Sequence, residues 1–92
     1  MSKRESVSGY VNQILDIPAD ISLQLPRIVL TGDRSLFLEN HRGVLHFSQT
    51  QVRVAYRGGQ LTVAGEELCL PLLKPDELEV AGLIRSLHFE PL

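Results

Sequence analysis

Residues 52–63 alternate apolar and polar side chains on both sides of a glycine pair. Val52, Val54 and Tyr56 point one way; Arg53, Ala55 and Arg57 point the other. Beyond Gly58-Gly59 the alternation resumes as Gln60, Leu61, Thr62 and Val63. A period of two is the signature of a half-buried strand, and a glycine pair supplies the positive φ angles of a two-residue hairpin turn. That turn sets Arg57 opposite Gln60, Tyr56 opposite Leu61 and Val54 opposite Val63. The two apolar faces then coincide. A slip of one residue would send every one of these side chains to the wrong side, so the agreement of the two faces is informative.

The same period governs most of the chain from Ile21 onward. Ile28 and Leu30 alternate before a turn at Thr31-Gly32-Asp33. Residues 35–39 form the next strand, Asn40-His41-Arg42-Gly43 reads as a four-residue turn, and 44–47 returns before a bend at 48–51. Gly65-Glu66-Glu67 reads as a further turn, Lys74-Pro75-Asp76 as a break, and Gly82 as punctuation between residues 78–81 and a last strand. In that strand Leu83, Arg85, Leu87 and Phe89 share a face, with Ile84, Ser86 and His88 on the other. Short strands at turn-to-turn spacings of about 8 to 12 residues point to an all-β antiparallel meander. Crossovers between parallel strands need about a dozen residues or more, and there is no room for them.

Residues 5–16 differ. Val7, Tyr10, Val11, Ile14 and Leu15 fall on one face at helical spacing. Ser2 and Glu5 have the spacing of a capping box, and Pro18 ends the element. The expected architecture is therefore mainly all-β. About seven short strands form a sandwich- or roll-like sheet, preceded by one short N-terminal amphipathic helix. Residues 1–18 are the helical segment and 19–92 a single β domain.

Strands 36–38, 44–47 and 68–73 are apolar on both faces. In 92 residues a core is small, so these strands need either a folded-over sheet or a partner. This predicts homo-oligomerisation or capture of another protein on a sheet face or edge.

Catalytic chemistry has little to work with. No nucleophile elbow, phosphate-binding loop or dinucleotide fingerprint is present. Glu39, His41 and His46 lie close in sequence, but no pair has the spacing of a zinc site, and turn or surface histidines are the simpler reading. Cys69 lies in an apolar strand with no neighbouring cation to activate it, so it reads as a buried structural thiol. These features predict no enzyme, no cofactor and no metal. A net charge of −2 and a pI near 5.8 lack the basic footprint of a nucleic-acid binder. A single cysteine permits no internal disulfide and suits a reducing, cytoplasmic setting. No apolar run reaches the roughly 18 residues of a membrane span, and residues 1–5 lead into no signal-type stretch. Arg53 and Arg57, on the outer face of one strand, are candidates for meeting a partner's acids.

Leu25-Pro26-Arg27-Ile28, Gly32 and Leu38-Glu39-Asn40-His41-Arg42-Gly43 together resemble the YabP/YqfC family of sporulation proteins, and its YqfC-like branch in particular. Leu15-Asp16-Ile17-Pro18, residues 59–68 and the stretch from Leu78 to Phe89 are similar as well. The likeness spans roughly residues 12–89, with Glu39 to Gly43 its most specific part. It implies a non-enzymatic assembly or adaptor role in the mother cell during endospore formation. It also implies a membrane-anchored YqfD-like partner that would bring the protein to the membrane around the forespore. Glu39, Asn40, His41 and Arg42 join Arg53 and Arg57 as the candidate interaction surface. Within the first four, a structural turn with Arg42 paired to Glu39 is the favoured reading. A small-molecule- or peptide-binding β module without an assembly role is the alternative.

Overall fold

The computed structural model describes residues 25–91; the amphipathic segment expected at 5–16 lies outside them. Six antiparallel strands follow one another: β1 (Arg27–Thr31), β2 (Ser35–Glu39), β3 (His41–Phe47), β4 (Gln51–Tyr56), β5 (Gly59–Leu73) and β6 (Glu77–Pro91). They form one sheet in the order β1-β2-β6-β5-β4-β3. The all-β antiparallel expectation holds, with six strands in place of about seven, because two predicted interruptions are not interruptions. Gly65-Glu66-Glu67 and Gly82 leave β5 and β6 continuous at 15 residues each and bend them instead.

The bend folds the sheet over on itself. On one side of it lie β1, β2, residues 77–81 of β6 and residues 69–73 of β5. On the other lie β3, β4, residues 59–64 of β5 and residues 86–91 of β6. Gly82 has φ +130°, where a β-carbon is strained. A β-carbon on Gly65 would strike the Leu83 carbonyl oxygen. Each short hairpin braces one bend. The β1–β2 turn accepts Gly82 N–H at Arg34 O (3.1 Å) and Ile84 N–H at Asp33 O (2.7 Å). The β3–β4 turn accepts Gly65 N–H at Thr50 O (3.0 Å) and Leu68 N–H at Gln49 O (2.8 Å).

The core fills the space between the halves. Leu36, Leu38, Leu78 and Val80 come from one half and Val52, Val54, Leu61 and Val63 from the other, with Leu68 and Ile84 at the bend. All but Ile84 are essentially inaccessible to solvent. An unbent sheet would leave one of these faces wet. Burying each such side chain stabilises by about 1.5–3 kcal/mol, and the bend is what makes that burial available.

Three register expectations are corrected. The β4–β5 turn consists of Arg57 and Gly58, with the positive φ (+96°) on Gly58. Tyr56 therefore pairs with Gly59, Val54 with Leu61 and Val52 with Val63. This is a slide of two residues, which preserves the faces. In β6 the pairing shifts between Ile84↔Gly65 and Ser86↔Ala64. That bulge returns Ile84 to the core side together with Leu87, which packs against it. Cys69, opposite Ala81 beyond another register shift, is exposed rather than buried.

Candidate interaction surface

The stretch from Glu39 to Gly43 does not reverse the chain into a neighbouring strand. β2 and β3 do not pair; they lie in opposite halves of the folded sheet. One residue, Asn40, carries the chain between them at φ +69°, a left-handed geometry that asparagine tolerates better than most residues. Its main-chain N–H donates to Asp76 O at 2.7 Å, and its side-chain Nδ2 donates to Leu25 O at 3.0 Å. The corner is thereby tied both to the β5–β6 loop and to the chain entering β1.

His41 fastens the corner from within. It is the buried polar side chain of the described residues, 5% exposed. Gly43 N–H donates to Nδ1 at 2.9 Å, so Nδ1 is unprotonated and the hydrogen-bond network assigns the proton to Nε2. Nε2 in turn donates to Lys74 O at 2.8 Å. Both ring nitrogens are committed to backbone, which leaves none free for a metal or a reacting group. Among the described residues no three His, Cys, Asp or Glu side chains gather as a metal site.

Glu39 is ion-paired with Arg27 across β1 and β2, at 3.2 Å, in place of the expected Arg42. Arg42 is exposed and lines an open groove of about 630 Å³ together with His41, Gly43, Val44, Leu73, Lys74 and Pro75. Lys74 lies 3.9 Å from Glu77. Arg57 is exposed in the β4–β5 turn; that turn follows Tyr56, the partner of His41 in register, so Arg57 stands at the same end of the sheet as the corner. Arg53 does not join them. It sits half-buried between His46 and Thr62, on the outer face toward the other end of β4. The candidate residues thus divide into a structural corner (Asn40, His41), an outer-face ion pair (Glu39), two cations at one end (Arg42, Arg57) and a remote Arg53.

In the opposite wall of the groove, Leu73 ends a strand that the sequence reads as apolar on both faces, and Lys74 and Pro75 belong to the predicted break. The two sheet edges also carry apolar side chains that alternation alone does not mark as exposed. Val29 is 40% and Leu30 48% exposed on β1; Leu45 is 54% and Phe47 47% exposed on β3.

The YabP family profile matches residues 24–91, which includes all of the described fold. The chain belongs to the YabP family. It is 32% identical over 87 residues to the uncharacterised protein YqfC of Bacillus subtilis strain 168, covering 95% of this chain and 94% of that one. No solved structure is a significant match. The Asn40–His41 corner and the folded β5–β6 hairpin therefore give a physical account of a YabP-family fold. The stretch that most specifically marked the resemblance, Glu39 to Gly43, is where the chain crosses between the halves. Among the described residues no helix is long and apolar enough to cross a membrane.

Proposed function

We propose that this YabP-family chain is a non-enzymatic assembly or adaptor module of endospore formation. It works in the cytoplasm of the mother cell and is held at the membrane around the forespore by a membrane-anchored YqfD-like protein. The sporulation setting rests on the family. The mode of action rests on one observation: both outermost strands of a small fold present large apolar side chains to solvent (Val29, Leu30, Leu45 and Phe47). Exposed apolar side chains on open edges are the usual place for another chain to dock, by strand addition at an unbulged edge and by side-chain packing at a bulged one. The test is co-expression of the full chain with the YqfD-like protein of the same organism, detergent extraction and affinity capture. Retention that is lost on placing a lysine at Leu45 is the expected result. Absence of retention from intact membranes of sporulating cells would overturn the partner assignment.

A second reading is favoured by the groove beside β3, where Arg42 and Lys74 border Val44 and Leu73. Cations next to apolar side chains suit an extended peptide carrying acidic residues. In that case Arg42→Glu abolishes capture while edge lysines leave it intact.

A further inference from the structure

The two free edges of the sheet are not equivalent. β3 carries two register shifts, between His41 and Gly43 and between Val44 and His46, and displays Arg42 and His46. Bulges and charges on an edge strand are the usual devices that prevent another strand from adding. β1 has neither. Its five residues pair with β2 without a shift, from Arg27↔Glu39 to Thr31↔Ser35. It contains no proline, and its single charge, Arg27, stands at one end and is neutralised by Glu39. Among the described residues nothing lies beyond β1 in the sheet.

The sequence of β1, Arg-Ile-Val-Leu-Thr, is complementary to itself when run antiparallel. With Val29 on a two-fold axis, Val29 meets Val29 of a second copy, Ile28 meets Leu30, and Arg27 meets Thr31. Apolar faces apolar at every central position, and no like charges are opposed, which is the condition for a favourable cross-strand set. The side chains left in solvent, Val29 on the outer face and Leu30 on the inner, are the ones such a neighbour would cover. An isologous contact of this kind closes after two copies, whereas β1-to-β3 pairing would propagate as a fibre; the bulged β3 blocks the fibre.

We infer that β1 is a homodimerisation edge, joining two copies of this chain antiparallel about Val29 into one continuous sheet. This deepens the assembly reading proposed above and rests on it. The experiment uses the full chain in a Cys69→Ser background, since Cys69 is exposed and would itself oxidise. Light scattering of this protein gives the mass of two chains, and Val29→Lys, which sets two ammonium groups face to face, returns the mass of one with the unfolding temperature of the subunit retained. Val29→Cys forms a disulfide-linked dimer on mild oxidation, because directly opposed residues of an antiparallel pair lie within disulfide reach. Leu45→Cys on β3 does not. A monomeric parent protein overturns the inference, as does a dimer that survives Val29→Lys or one that cross-links through Leu45→Cys. In the last two cases the assembly reading stands and only the edge is wrong. A monomer that still captures the YqfD-like protein likewise separates the failure of this inference from the failure of that reading.

Discussion

Replacing Gly82 by alanine asks whether the long β5–β6 hairpin owes its bend to that residue. Gly82 adopts φ +130°, and a β-carbon there would lie 2.6 Å from Glu67 O and 3.0 Å from Leu68 Cα. Holding a non-glycine residue in so sparsely populated a region costs about 1–3 kcal/mol. The close contact adds a second cost, because the atoms struck are main chain of the paired strand and not the end of a flexible side chain. Relieving such overpacking costs a further ~1–3 kcal/mol. The total, roughly 2–6 kcal/mol, is a large part of the ~5–15 kcal/mol that holds a typical domain folded. Gly43 provides the control: its φ is +126°, but nothing lies within 4 Å of its β-carbon position, so Gly43→Ala carries the dihedral cost alone. Urea unfolding followed by circular dichroism reads both variants, as midpoint shifts at constant slope. Gly82→Ala is expected to lose at least about 1 kcal/mol more than Gly43→Ala, and failure to fold counts as the extreme of the same outcome. Equal losses, or a smaller loss at Gly82, would refute the claim that the fold-over depends on close main-chain approach at this residue.

His41→Phe strips Lys74 O and Gly43 N–H of their partners in a buried site, so unfolding free energy should fall by about 2–4 kcal/mol; a neutral substitution would show that the corner is held by other means. Leu36→Ala, at a fully buried position, should cost about 2–5 kcal/mol in the same assay. Arg85 donates twice to Glu66, at 3.1 and 2.8 Å, but both are exposed, so Arg85→Ala should change stability by less than about 1 kcal/mol. The exposed Cys69 thiol should react completely with a maleimide under native conditions, at a rate insensitive to low urea; reaction only on unfolding would place it in the interior.

Much of the fold is visible in the chain itself, for a reason that also explains what is hidden. Side-chain alternation reports faces, and faces survive even-numbered slips: Val52 and Val54 meet Leu61 and Val63 although the β4–β5 turn is displaced from its expected place. Alternation does not report whether a glycine ends a strand or bends it. Alternation therefore makes Gly65 and Gly82 boundaries, while main-chain bonds to Thr50 and Arg34 hold both strands together through the bend. Nor does it show which half a strand belongs to, so the Asn40–Gly43 stretch read as a hairpin turn. Its role as a crossing depends on Asp76 and Lys74, more than thirty residues away. Bulges near Glu66 and Arg85 shift the phase, and that is why Cys69 is exposed and Ile84 shares the core side with Leu87. For the candidate surface, alternation puts Arg53 and Arg57 on an outer face and local spacing pairs Arg42 with Glu39; neither signal shows that Glu39 pairs with Arg27, that His41 is held by backbone, or that β1 is the unbulged edge.

Amide hydrogen exchange of the full protein at low and high concentration reads, residue by residue, which sheet edge takes up a second chain. Protection in Arg27–Thr31 that rises with concentration, with His41–Phe47 unchanged, is the predicted result; protection that is independent of concentration in β1, or that grows in β3, would contradict it.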